Sequence, residues 1–131
     1  MLRKKQAIIC IATIVLCVAA VVLAKAVKIE LKPYPAEAPV EPGASGHAML
    51  NYAKDADKTI VEVNCRGLTA ETEYKVCLTK DDEFYEIGSF TTRKNGSGNF
   101  HVEIDTDASA DVPVAINNAN SDTTVLLGPQ E

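Results

Sequence analysis

The sequence predicts an all-β fold, an antiparallel Greek-key β-sandwich of about seven strands, preceded by one N-terminal hydrophobic helix. Seven short segments after Gly46 alternate apolar and polar residues, and turn-forming residues separate them. No helical periodicity follows the first 26 residues, and strands at such regular spacing are typical of a sandwich or small barrel. The helix is predicted by the apolar run 7–24, which follows Arg3, Lys4 and Lys5 directly.

The N-terminal run is a targeting segment with two open interpretations. Its eighteen residues are longer than the ~7–15 of a signal-peptide core and fall within the ~17–25 of a membrane-spanning helix. Ala24-Lys25-Ala26 has the small residues that signal peptidase accepts. We favour an uncleaved single-pass anchor with the C-terminal domain extracytoplasmic; cleavage after Ala26 would give a secreted protein.

A proline-rich stretch follows the leader. Val27, Ile29 and Leu31 alternate with charged residues, which suits either a short strand or a solvated stretch beside the membrane. Four prolines then fall within residues 32–46, a composition typical of an extended spacer. The predicted organisation is therefore a leader at 1–26, a linker at 27–45 and a β-sandwich domain at 46–131.

Within that domain, the predicted strands are residues 47–52, 59–66, 73–79, 84–92, 98–104, 112–117 and 123–127. Asn95-Gly96 is a strong hairpin signal, since both residues tolerate the positive φ angles of a type I′ turn. It predicts that the fourth and fifth of these strands pair as a hairpin.

One segment resembles a known family. Residues 67–74, Gly-Leu-Thr-Ala-Glu-Thr-Glu-Tyr, followed by Val76 and Leu78, resemble the connection that crosses the sandwich in fibronectin type III and immunoglobulin-like domains. The resemblance implies a tyrosine corner, in which Leu68 fills the core beneath the loop and the Tyr74 hydroxyl bonds a backbone group. Thr69-Ala70 replaces the usual proline. The resemblance covers fewer than twenty residues, so it bears on fold and not on function.

A looser likeness runs through residues 43–68 and 90–98. These stretches are similar to small exported domains of the chordin-domain and copper–zinc superoxide-dismutase-like type. The metal chemistry of those domains does not carry over, because copper centres need several histidines and this chain has only His47 and His101.

Cys65 and Cys77 are the only cysteines outside the leader. An oxidising compartment would permit a disulfide, but strand phase places the two side chains on opposite faces, because Cys65 aligns with Val63 while Cys77 falls between Val76 and Leu78. We therefore favour Cys65 as a small core residue and Cys77 as a surface or second-face thiol, with the disulfide as the alternative.

No pattern identifies a catalytic or metal site. Residues 105–111 place oxygen-bearing side chains at alternate positions, but Ala110 and Ile116 stand where a calcium loop needs Gly and Glu. His47 and His101 lack zinc-ligand spacing, and no nucleophile elbow or phosphate loop is present. Asn95-Gly96-Ser97 matches a glycan acceptor, although a turn explains it equally. No catalytic, cofactor-binding or metal residue is therefore assigned.

Charge disfavours one class of partner. From Gly43 onward seven Lys and Arg stand against fifteen Asp and Glu, a formal charge of −8 that disfavours nucleic acid. The sequence thus predicts a non-enzymatic, membrane-tethered or secreted sandwich that needs no cofactor and acts as a surface interaction or structural module. Its expected partners are the membrane, through the N-terminal helix, and an extracellular protein. The alternative is an extracytoplasmic carrier of a metal or small ligand.

Overall fold

The computed structural model describes residues 24–130, and all of its regular structure in that range is β-strand. The strands are β1 (Ala24–Pro33), β2 (Ser45–Ala53), β3 (Lys58–Arg66), β4 (Glu73–Lys80), β5 (Glu83–Thr91), β6 (Gly98–Ile104), β7 (Val114–Asn118) and β8 (Thr123–Gly128). The predicted hydrophobic helix falls on residues 1–26, of which 1–23 lie outside the described part. Residues 24–26 belong to β1.

All eight strands form one antiparallel sheet in the order β5-β4-β7-β8-β1-β2-β3-β6. β1 joins the two halves, because residues 24–31 pair with β2 whereas Lys32 and Pro33 pair with β8. We call β1, β2, β3 and β6 the front sheet, and β5, β4, β7 and β8 the back sheet. The end strands β5 and β6 approach each other without sharing a ladder, so the fold is a nearly closed barrel.

The core lies between the two sheets and follows the alternation of the strands. In β2, for example, the buried positions Ala48 and Leu50 alternate with exposed His47 and Met49. Each fully buried Leu or Val of this kind contributes about 1.5–3 kcal/mol of transfer free energy. The largest fully buried side chains are Tyr74, Leu31, Leu50, Leu78, Ile116, Leu126, Val61, Val63, Val76, Val114, Val125 and Thr59.

The seven predicted strands correspond to β2–β8, with ends that differ by one or two residues. The eighth is β1, which the alternation of Val27, Ile29 and Leu31 allowed as a short strand. Ile29 and Leu31 are buried in the core, so this stretch belongs to the folded domain. The count of about seven is therefore corrected to eight.

The proline-rich residues after β1 contact the domain instead of leading away from it. The Tyr34 amide donates to the Val125 carbonyl at 3.0 Å, and Ala44 is buried. The Glu41 carboxylate accepts hydrogen bonds from the Tyr74 hydroxyl at 2.8 Å and the Thr69 amide at 2.9 Å. Residues 34–44 are therefore packed against the domain, and the predicted extended spacer is wrong for this stretch.

The corner between β3 and β4 has the geometry that the local resemblance implied. Leu68 is buried under the loop, and the Thr69 amide donates to the Tyr74 hydroxyl at 3.1 Å. Burial and the hydrogen bond to Glu41 raise the pKa of Tyr74. The acidic partner from residues 34–44 was not foreseen, because no local pattern connects Glu41 with a tyrosine 33 positions later.

The predicted hairpin at Asn95-Gly96 is wrong. β5 pairs with β4 and β6 pairs with β3, so residues 92–97 cross from one sheet to the other. Gly96 has φ +82°, but Asn95 does not share the positive φ that a type I′ turn requires. The loop instead packs on the corner, where Leu68 donates its amide to the Gly96 carbonyl at 3.1 Å.

Candidate binding face on the front sheet

The outer side of the front sheet carries two rows of side chains that the strand register brings into line. One row, in the order β1, β2, β3, β6, is Lys28, Met49, Glu62 and His101. The neighbouring row is Glu30, His47, Asn64 and Asn99. All eight are exposed, since they occupy the strand positions that alternate with the core.

Two shallow grooves run over these rows. A groove of about 290 Å³ is lined by Glu62, Asn64, Asn99, Phe100 and His101. A second, of about 230 Å³, is lined by Lys28, His47, Ala48, Met49, Glu62 and Asn64. Glu62 and Asn64 border both, so the grooves form one continuous surface. Both are smaller than the roughly 300–1,000 Å³ of a typical small-molecule pocket.

One part of this surface is held by its own hydrogen bonds. The Asn99 amide donates to the Asn64 side-chain oxygen, and the Arg93 guanidinium donates to the Asn99 side-chain oxygen at 2.6 Å. Arg93 also donates to the Ser97 hydroxyl at 3.1 Å. This chain of contacts fixes the amides at one end of the face.

The side chains at the centre of the face are not held by such hydrogen bonds. Among residues 24–130, the side chains of His47, Glu62 and His101 form no hydrogen bond or ion pair with one another or with other described groups. Other acidic side chains are engaged: Glu103 and Asp105 each lie within 4 Å of the Lys58 amine, at 3.6 and 3.8 Å. The imidazoles of His47 and His101 and the Glu62 carboxylate are thus available for hydrogen bonds to a ligand. The Met49 thioether, 39% exposed, lies beside them.

His47 and His101 were predicted on separate strands with no shared site. The strand assignment is correct, but the two residues lie on the same face on either side of β3. Sequence reasoning missed this because nothing local indicates that β2 and β6 both pair with β3. In the described part of the chain, no group of three or more His, Cys, Asp or Glu is arranged to hold a metal ion.

The acidic loop at 105–111 does not gather its carboxylates. Asp107 accepts from the Ser109 amide at 3.0 Å and hydroxyl at 2.6 Å, whereas Asp111 accepts from the Tyr85 hydroxyl at 2.6 Å. Burial, followed by that hydrogen bond, raises the pKa of Tyr85. These acids therefore stabilise the loop in separate places.

The two described cysteines are free thiols, as strand phase predicted. Cys65 belongs to the core, and burial raises its pKa to about 12. Cys77 lies on the outer side of the back sheet, where it is nevertheless covered, at 6% exposure. Burial, then Glu86 and Asp122, raise the pKa of Cys77. Neither thiol has the lowered pKa of a reactive cysteine.

Comparison with known proteins adds no family to this description: no protein-family model matches the chain, and no curated protein shows significant sequence similarity to it. Within residues 24–130, the structure contains no helix with the length and apolar character needed to cross a membrane. Residues 7–23 of the predicted anchor lie outside that range, and Ala24 belongs to β1.

Proposed function

We propose that this protein is a non-enzymatic interaction module that binds a protein partner through the outer face of the front sheet. The observation that carries the proposal is the uncommitted trio His47, Glu62 and His101, which lines two adjoining grooves on a rigid sheet. Polar groups without internal partners are free to exchange water for a ligand's hydrogen bonds.

The shape of the surface supports a macromolecular partner over a small substrate. Both grooves are open and shallow, whereas small-molecule sites bury most of their ligand in a concave cavity. Lys28, Glu30 and Glu62 give the face mixed charge, and Met49 supplies an apolar contact beside them. Protein interfaces are enriched in Met and place polar groups around their apolar contacts.

The proposal places the domain outside the cytoplasm, tethered by residues 7–24 or released by cleavage. Its support is the basic start followed by the apolar run. A structural relationship to immunoglobulin-like or fibronectin type III domains is proposed only on the basis of the corner at Leu68 and Tyr74. Since β1 begins at Ala24, a retained anchor would hold the domain directly at the membrane surface.

A binding experiment with matched variants tests the proposal. Fluorescently labelled protein would be titrated onto the surface of cells of the source organism, with excess unlabelled protein as competitor. We expect saturable binding that the triple variant His47→Ala, Glu62→Ala, His101→Ala loses by at least about tenfold, as when one or two interface hot spots are removed.

The control removes three charges elsewhere. Lys54, Asp55 and Lys80 are exposed, and their side chains have no hydrogen-bond or ion-pair partner among the described residues. Replacing them with Ala should leave binding within about twofold, the ordinary effect of rim residues. Equal losses in both triple variants would contradict the proposal.

The carrier alternative is separated by a thermal melt. A metal that binds the native state stabilises it by an amount that rises with the logarithm of the metal concentration above Kd, and Tm rises with it. Without a metal-holding group in the described residues, we expect millimolar calcium, zinc or copper to leave the Tm unchanged. An increase in Tm that continues to grow with metal concentration would favour the carrier instead.

A further inference from the structure

β6 is one end strand of the sheet, and its pairing with β3 is regular. Its seven residues pair with β3 from Cys65 to Thr59 without a register shift. Its other side has no ladder partner in the described chain, because it is the last strand of the sheet. The backbone N–H and C=O groups along that side are therefore free to pair with another strand.

β5 does not cover this edge with hydrogen bonds. The two strands meet through side chains: the Phe100 ring lies where a Cβ on Gly88 would be, and the Phe90 ring lies where a Cβ on Gly98 would be. No described backbone hydrogen bond joins them. The inward side chains of β6, Phe100, Val102 and Ile104, remain half-buried as a result.

The two end strands differ in how they are protected. β5 carries a register shift opposite Val76 and Cys77, and it contains Gly88 at φ +155°. Bulges and glycine kinks of this kind obstruct strand addition. β6 contains no proline, no lysine and no bulge. Of the two edges, β6 is therefore the one open to a partner.

The sequence of β6 is complementary to itself in an antiparallel register centred on Val102. Directly opposite residues must share a face, so a two-fold axis can lie only at a residue position. An axis at Val102 pairs His101 with Glu103 of the second copy, twice, and pairs Phe100 with Ile104 on the apolar side. An axis at Glu103 would set two glutamates opposite each other, and an axis at His101 would set two histidines opposite each other.

We propose that a second copy of this chain pairs antiparallel along β6, with Val102 on the two-fold axis. The two front sheets then form one continuous eight-stranded sheet, and the candidate binding faces lie side by side. The other charged groups beside this contact are Lys58, 3.6 Å from the Glu103 carboxylate, Asp105, 3.8 Å from the Lys58 amine, and Glu62, which is paired with His101 in the β3 ladder. The contact is small, so a weak dimer is expected unless the chains are concentrated on a surface.

Register-specific crosslinking of the full chain tests the pairing. Cys10 and Cys17 are first changed to Ala, and separate chains then carry His101→Cys or Glu103→Cys. Opposite residues lie about 4.5–5.5 Å apart between Cα atoms, within disulfide range, whereas like positions lie about 7–8 Å apart. Oxidised glutathione takes up the two electrons and two protons as the bond forms.

We expect the mixture of the two chains to give about tenfold more covalent dimer than either chain alone, as the distances require. A single variant that crosslinks as well as the mixture, or no crosslinking in any sample, would overturn the proposal. Circular dichroism melts confirm that each variant is folded.

A charge exchange provides the second measurement. His101→Glu sets two acids opposite each other and should lower the dimer fraction in sedimentation, and adding Glu103→Lys should restore it. A dimer fraction that is identical in the single and double variants contradicts the proposed register. Neither experiment depends on the unidentified partner of the front face.

Discussion

Removing the Tyr74 hydroxyl should loosen the contact between residues 34–44 and the rest of the domain. The hydroxyl donates to Glu41 at 2.8 Å and accepts from the Thr69 amide at 3.1 Å, and the Tyr74 side chain is fully buried. A hydrogen bond to a charged group contributes about 1.5–3 kcal/mol. The Thr69 amide keeps a second acceptor, the other Glu41 oxygen at 2.9 Å.

Tyr74→Phe should therefore lower the free energy of unfolding by about 2 kcal/mol, chiefly through the Glu41 bond. Glu41→Gln keeps a carbonyl acceptor but loses the charge, and should cost about 1 kcal/mol. In the double variant the two losses should overlap by about 1 kcal/mol, because both remove the same contact. For a domain of this size, 1 kcal/mol corresponds to about 4–8 °C in Tm.

Urea denaturation followed by circular dichroism measures these energies on residues 24–131, which contain the whole described core. Tyr34→Phe is the matched control, since Tyr34 is 37% exposed and its hydroxyl makes no hydrogen bond within the described residues. It should change stability by less than about 0.5 kcal/mol. If Tyr74→Phe behaved like the control, or if the two losses were strictly additive, the docked arrangement of residues 34–44 would be refuted.

Two further predictions concern the core. Gly98→Ala places a Cβ 2.5 Å from the Phe90 ring, so it should destabilise by about 1–3 kcal/mol, whereas Gly43→Ala, with nothing within 4 Å, should be near neutral. Thermal melts compare them, and equal effects would contradict the interlocked seam between β5 and β6. A separate prediction concerns pH. Burial raises the pKa of the Cys65 thiol to about 12 in the folded state, from the 9.0 of an exposed thiol in the unfolded chain. Stability should therefore fall as pH rises above 9, with about 1.4 kcal/mol of the loss at pH 10 due to Cys65. Urea unfolding at pH 8 and pH 10 should show that the free energy of unfolding falls less with pH in Cys65→Ala than in the wild type. An equal fall in both proteins would refute the link between the Cys65 thiol and this pH dependence.

The strands of the domain could be predicted because alternation is a local property. Strand phase puts Cys65 on the same face as Val63, and Val76 on the same face as Leu78, and all four are buried. β1 was harder, because the prolines after Ile29 and Leu31 suggested a spacer. Its membership of the sheet depends on pairing with β2 and β8, which local pattern does not encode.

The pairing of strands decided what sequence reasoning missed. Asn95-Gly96 permits a tight turn, but β5 pairs with β4 and β6 pairs with β3, so the two strands lie at opposite ends of the sheet. The candidate binding face also depends on strand pairing, which the local sequence pattern does not encode. Period two predicts that His47 and His101 point outward, yet only the position of β3 between β2 and β6 brings them to one surface.

Site-specific photocrosslinking can show whether the partner binds on the front sheet. Met49 on that face is 39% exposed, and Phe84 on β5 of the back sheet is 52% exposed, so the two form a matched pair of exposed apolar positions. Each would be replaced in turn by benzoylphenylalanine and irradiated on the surface of source cells. We expect position 49 to give a discrete adduct that unlabelled protein competes away, and position 84 to give none. An adduct from position 84 alone, or equal adducts from both, would contradict it.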